Sequence, residues 1–547
     1  MLRSTLAKRA WPLLLAAICF SYVYGLWRAP LVGADEPRYA EVTREMYARG
    51  DLVTPTLGGR AWFEKPALVY WLGIGSYELF GVGEWQARLG AMLLGLLTLL
   101  CAVWLARTVE AAESDRLAGF SRTLCGLLAT CAGLIAFARV MNFDVAVTWT
   151  VTAALACFFG AELEQDEGRR RWLLAGCYAA VGAGLLAKGL VGIVIPAGVV
   201  GLYYLLRREW PRSWLTLAWG VPLALALAAL WYVPVYMRNG WPFVEQFFVQ
   251  HHFARYLSNK YHHPQPFYFY LPVIAMFALP WTAFLIAALV GARRWHWRGH
   301  APLDRLRVFA LAWLVVPIIF FSLSGSKLPG YVLPALPAAA LLACARLHAY
   351  LRGDARGVWV MRATGAFMFL FAAVVVAYEL HTQLFGLTCA LLLAAPLACV
   401  GLFVLLRAHL RQECVWSIVA ATLIVVCIAA ACALPQAARR ESMRDLLRAA
   451  AARGYAGAPV YSLHNTERTT EFYAAGRLAY DAHGEPLVFD WAGYVAEAAR
   501  REGSPVLVVV PREYVGQLTG YAQLTCEVIG DNGQMALVAA RPKSSEE

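Results

Sequence analysis

Asp35, Glu36, Arg38 and Tyr39 fall within five residues, in the run Gly33-Ala34-Asp35-Glu36-Pro37-Arg38-Tyr39-Ala40-Glu41. The run follows the first long apolar stretch of the chain. It places two carboxylates where that stretch ends and an amphipathic helix begins, with a cation and a phenol in the same turn. That is a compact polar cluster at a lipid surface. Pro37 also suits the first turn of a helix with Asp35 or Glu36 at its cap, so the same residues read equally as an ordinary helix start. A further acid, Asp144, precedes an apolar run inside an otherwise apolar turn, where an unpaired charge is costly. Lys188 and Lys327 are each the lone cation between two long apolar runs. The stretch 236–268 holds Glu245 and two histidine pairs, His251-His252 and His262-His263. With Glu64 these are candidate zinc ligands. Adjacent histidines point different ways on any regular element, so a shared site is not implied. The many aromatics of that stretch fit an interfacial belt and part of a lipid entrance.

Hydrophobic residues make up 60% of the 547-residue chain and charged residues 15%. Soluble domains hold roughly 45–50% and about 25%. A soluble fold has too little interior for that apolar surface, so most of the chain must use lipid as its solvent. A cytosolic enzyme, a secreted disulfide scaffold and a disordered chain are excluded. The net charge of +12 does not point to nucleic acid, because most arginines sit in short gaps between apolar runs. The thirteen cysteines show no CxxC or zinc-type spacing, and no disulfide framework is expected.

Thirteen runs have the length needed to cross the hydrocarbon. They lie near 11–27, 89–106, 123–138, 145–161, 172–187, 190–206, 214–235, 269–291, 308–323, 331–345, 359–379, 384–406 and 413–434. Every even-numbered gap is Arg-rich, as in Arg169-Arg170-Arg171 and Arg293-Arg294, which places those gaps in the cytoplasm. The N-terminus is then cytoplasmic, and the loops 28–88 and 236–268 and the C-terminus are periplasmic. The apolar but short segment 66–80 reads as a helix lying along the interface. Beyond 434 the chain changes character. It predicts an amphipathic helix over 441–453, strands at 459–463, 486–490 and 505–511, helices over 469–477 and 494–501, and a closing hairpin at Asn532-Gly533. The expected architecture is an all-α polytopic membrane domain over 1–434 and a small α/β domain over 435–547.

Transporters carry charge in mid-span and helices broken near the midplane. These spans are nearly free of ionisable residues, which concentrate in the external gaps. That favours chemistry at the membrane surface, with a lipid or sugar transporter as the alternative.

The DExRYAE form of the first loop resembles that of the GT-C glycosyltransferases. Other stretches agree in order: Trp62-Phe63-Glu64-Lys65-Pro66, Asn142-Phe143-Asp144, Ala187-Lys188-Gly189, and Ser326-Lys327-Leu328-Pro329-Gly330-Tyr331. The resemblance is greatest to the aminoarabinose transferases acting on lipid A, and more distant to the protein mannosyltransferases. It implies a GT-C fold, an undecaprenyl-phosphate-linked sugar donor, a lipid A acceptor and a place in the bacterial inner membrane. It makes Asp35, Glu36 and Asp144 the catalytic candidates, and Arg38, Tyr39, Glu64, Lys65, Lys188, Arg255, Lys327 and Tyr331 the substrate-binding ones. Such a transfer needs cations for the leaving phosphate and a carboxylate to orient or deprotonate the acceptor. No metal-binding DxD is evident, so Lys and Arg can take the metal's place as phosphate clamps. No cofactor is expected. For Arg255 and Lys260 a solvated loop face fits equally well. An already ionised lipid A phosphate needs no strong base, whereas a protein hydroxyl would make Asp35 the base.

Overall fold

The computed structural model describes residues 2–212, 214–254, 265–482 and 484–543, without the side chains of 2–10, 114 and 252–254. The chain divides into two compact units. A helical unit comprises 1–24, 63–72 and 88–429. A mixed unit comprises 25–62, 73–87 and 430–547. The first loop, expected to belong with the membrane domain, thus clusters largely with the C-terminal segment.

Helices stand at all thirteen apolar runs. Among the described residues, eight are long and apolar enough to cross a membrane, including Glu84–Ala112, Asp144–Leu163 and Pro329–Leu351. A ninth counts if the pair Asp115–Ala129 and Ala132–Ala138, bent by 61°, is one span. The remaining four runs fall short for local reasons. Val191–Arg207 has 17 residues, and Glu167–Lys188 opens on three consecutive arginines. The apolar part of the first helix is Trp11–Val23. The run 269–291 is split into Tyr270–Phe277 and Thr282–Val290 around Pro280, which cannot continue the backbone ladder. Its break meets the bend of the other broken pair. Trp281 Nε1 donates to Thr130 Oγ1 at 2.9 Å, and Ala132 N donates to Leu279 O at 2.9 Å. The polar groups freed by both breaks satisfy one another. Leu68–Phe80 has 13 residues, about 20 Å at 1.5 Å per residue, too short for a span of about 30 Å.

Turns between spans are set by single residues. The helix ending at Lys188 stops at Gly189, φ 68°, and the chain reverses at once into Val191–Arg207. Gly184 and Gly192 face each other across this turn: a Cβ on Gly192 would lie 2.3 Å from the Gly184 carbonyl carbon. Arg139 closes the end of the first helix by donating to Ser21 O and Tyr24 O, both at 2.7 Å.

In the mixed unit, the C-terminal segment forms a five-stranded sheet. Numbering follows a small ladder of β1 (Thr56–Leu57) and β2 (Arg60–Ala61). The sheet contains β3 (Val460–Leu463), β4 (Val488–Phe489), β5 (Val506–Pro511), β6 (Leu524–Asp531) and β7 (Met535–Pro542), in the order β4-β3-β5-β7-β6. β3 pairs in parallel with β4 and β5, and β7 is antiparallel to β5 and β6. β5 is central and buried on both faces. Val506, Val508 and Val510 enter one core with helix Ala492–Glu502, while Leu507 and Val509 enter the other with Met443 and Leu447. This is why its sequence is continuously apolar instead of alternating. The expected helix over 441–453 is regular only over Arg444–Ala450. Eleven cysteines are free, but Cys389 and Cys432 are disulfide-bonded, contrary to expectation. Both lie in apolar surroundings, where their spacing gives no sign of pairing.

Candidate active site

In the helical unit, Asp144, Lys188 and Tyr331 come together. Asp144 opens helix Asp144–Leu163 and Lys188 closes helix Glu167–Lys188, so each charge sits at the helix end whose dipole favours it. Asn142 does the local capping: its Oδ1 accepts from Val145 N at 2.9 Å, and its Nδ2 donates to Phe137 O and Val140 O. The Asp144 carboxylate is thereby left for Lys188, whose ammonium is paired with it. Both side chains are largely buried, at 14% and 17% exposure. The same ammonium lies 4.3 Å from the centroid of the Tyr331 ring, a cation–π contact. Gly330 makes the arrangement possible. A Cβ there would meet Asp144 Oδ2 at 2.1 Å and the Phe137 ring at 2.7 Å. Gly330→Ala should therefore displace the carboxylate and cut transfer by roughly tenfold or more. Steady-state rates of purified protein check this, and a wild-type rate would show that Asp144 needs no fixed position.

Lys327 is buried at 8% exposure, and its Nζ donates to Ser324 O at 2.7 Å. No carboxylate faces it among the described residues. A buried ammonium with only a carbonyl partner favours an anion beside it. Lys65 pairs with its neighbour Glu64 at 2.7 Å, both side chains about nine-tenths buried. The Tyr70 ring lies 5.3 Å from that of Phe143, which sets the 63–72 segment beside the Asp144 turn. His251 is half-buried. Arg255, Lys260, His262, His263 and the side chain of His252 lie outside the described residues. Among the described residues, no three His, Cys, Asp or Glu side chains form a group able to hold a metal.

In the mixed unit, Asp35 and Glu36 diverge. Asp35 is exposed at the start of helix Asp35–Arg49, and its carboxylate has no partner among the described residues. Glu36 is turned inward, at 2% exposure, and accepts from Val32 N at 3.1 Å. Glu36 thus ties the backbone of the loop, while Asp35 faces outward. Tyr39 is also buried. Arg38 pairs with Glu471 at 3.5 Å and lies 5.2 Å from the Trp62 ring centroid. Nothing in the sequence links Arg38 to a residue so distant in the chain.

One further acid of the same run, given no role by its sequence position, is drawn inward. Glu41 is buried beside Arg44, which it meets at 2.5 Å. Burial pushes its carboxyl from 4.5 up to about 8, against the pull of Arg44. Such a group holds more protons folded than unfolded. Its contribution to stability is therefore present below about 4.5 and is lost as pH rises toward about 8. Melting curves across that window should flatten in Glu41→Gln. An unchanged slope would mean that Arg44 fully compensates the charge.

Residues 13–252 match the family model of the dolichyl-phosphate-mannose-protein mannosyltransferases. The undecaprenyl phosphate-alpha-4-amino-4-deoxy-L-arabinose arabinosyl transferase of Pseudomonas aeruginosa is 34% identical over 343 residues, 61% of this chain and 59% of that protein. The protein of the same name from Aeromonas salmonicida is 32% identical over 362 residues, 63% of this chain and 61% of its own length. The match thus spans about three fifths of these relatives. The crystal structure of ArnT from Cupriavidus metallidurans bound to undecaprenyl phosphate is similar over 96% of this chain and 97% of that one. Its TM-score is 0.78 and its sequence identity 26%. The chain is thus similar to the mannosyltransferase family over residues 13–252 and to aminoarabinose transferases over about three fifths of its length, and it shares the fold of that crystal structure.

Proposed function

We propose that this protein transfers 4-amino-4-deoxy-L-arabinose from undecaprenyl phosphate to a phosphate of lipid A, at the periplasmic face of the inner membrane. The observation that carries the reading is the similarity, over nearly the full length of both chains, to a structure holding undecaprenyl phosphate. An acceptor phosphate oxygen attacks the anomeric carbon, and the bond from that carbon to the donor phosphate breaks. Undecaprenyl phosphate leaves with the electron pair. No proton has to be abstracted, because the acceptor is already ionised. Charge grows on the leaving phosphate, and cations already in place lower that barrier. Lys188, Lys327 and Lys65 fill this role, with Arg255 as a further candidate. Asp144 and Glu64 hold Lys188 and Lys65 in position. Asp35, exposed and without a partner among the described residues, orients the acceptor or opposes positive charge at the anomeric carbon. No metal is required by this scheme.

The match of residues 13–252 to the mannosyltransferases favours a second reading, in which the acceptor is a protein hydroxyl and Asp35 is the base. Mass spectrometry of lipid A from cells with and without the gene separates the two. An aminoarabinose adduct that depends on the gene supports the first reading; unchanged lipid A sinks it.

The orientation is part of the proposal. Cys389 and Cys432 are disulfide-bonded and lie near helix ends that the arginine pattern assigns to the outside, where conditions are oxidising. A cysteine placed at position 50 should react with an impermeant reagent in intact spheroplasts, and one at position 300 should not. The reverse pattern would invert the topology.

A further inference from the structure

We infer that Glu471, in the C-terminal segment, is a positioning residue for sugar transfer: it holds Arg38, and with Phe472 and Tyr473 it fixes the loop that carries Asp35. The inference rests on the transferase reading and gives the C-terminal α/β segment a task within it.

Three consecutive residues of the short helix Thr469–Tyr473 each hold a different part of that loop. The Glu471 carboxylate, fully buried, stands between two guanidinium groups. Arg468 donates to its Oε1 at 2.8 Å, and Arg38 Nε lies 3.5 Å from its Oε2. Arg468 is shared with Glu485, also at 2.8 Å, so it neutralises Glu471 only in part and leaves charge for Arg38. Phe472 offers its carbonyl to Arg44 at 2.9 Å, with its ring 5.4 Å below the same guanidinium. The Tyr473 hydroxyl accepts from Leu31 N at 2.7 Å and donates to Glu84 at 3.3 Å. Residues 31, 38 and 44 are thereby tied down on both sides of Asp35.

Arg38 is the contact that bears on chemistry. It stands three residues after Asp35, on the same face of the helix. Glu471 holds its guanidinium on one side and Trp62 covers it on another. A contact needed only for folding would not require a charge here. Apolar residues of similar volume commonly replace a buried ion pair at no loss of stability. Burial also pushes the Glu471 carboxyl up against the pull of both arginines, so its charge is kept at a cost. What the charge secures is the direction of Arg38.

The test uses the full-length protein in detergent with an undecaprenyl-phosphate-linked aminoarabinose donor and lipid A. Glu471→Gln should lower kcat by roughly tenfold at temperatures where the variant is fully folded, and Glu471→Asp should restore part of the loss. In an Arg38→Ala background, Glu471→Gln should cost nothing further, because the two act as one unit. Hydrogen exchange at residues 31–39 should quicken in Glu471→Gln. A wild-type kcat, or losses that multiply in the double variant, would overturn the inference. An inactive wild type would instead sink the transferase reading. The exchange measurement still decides in that case, since unchanged protection at 31–39 would show that Glu471 does not order the loop.

Discussion

Asp35→Asn should lower the transfer rate by roughly a hundredfold or more, about 2.7 kcal/mol of barrier. The substitution keeps the shape of the side chain and removes its charge. Asp35 is exposed and has no partner among the described residues, so folding does not depend on it. Its charge is free to act on a substrate. If it orients the acceptor or opposes charge at the anomeric carbon, the loss appears in kcat while donor binding is kept. Glu36→Gln should behave differently. Its carboxylate is buried on Val32 N, and its loss should show in stability before rate. Rates at matched protein levels, beside melting temperatures, separate the two. Near-normal transfer by Asp35→Asn would remove the catalytic reading of this loop.

Lys188→Ala should be at least as damaging. It removes a cation from the leaving phosphate and also leaves the Asp144 carboxylate largely buried without its partner. We expect a loss of roughly a hundredfold in transfer together with weaker binding of undecaprenyl phosphate. Asp144→Asn should cost less, because the ammonium remains and keeps the Tyr331 ring beside it. If Asp144 acts only by holding Lys188, Asp144→Asn adds no further loss to Lys188→Ala. Losses that multiply would give Asp144 a direct contact with substrate.

The thirteen apolar runs were legible as helices because lipid demands long apolar stretches whose backbone groups pair internally. The central strand Val506–Pro511 and the hairpin at Asn532-Gly533 were legible for similar local reasons. Local pattern also marked Lys188 as a candidate, as a lone cation between two spans. It could not reveal that Asp144, 44 residues away, is its partner. Hydrophobic periodicity shows where helices end but not which ends meet. Glu471 escaped for the same reason: the contact with Arg38 joins distant parts of the chain. Gly330 stood in a quoted motif, yet its role depends on a carboxylate that folding brings within 2.1 Å of its missing Cβ. That Cys389 and Cys432 are disulfide-bonded was hidden because cysteines in apolar segments look the same whether free or oxidised.

The measurement closest to the central claim is mass spectrometry of purified lipid A after incubation with purified protein and an undecaprenyl-phosphate-linked aminoarabinose donor. The account predicts that one aminoarabinose is added per modified phosphate, that undecaprenyl phosphate is released in equal amount, and that Asp35→Asn abolishes both. Donor left intact in the presence of active wild-type protein and lipid A, or sugar recovered on a protein hydroxyl instead, would contradict it.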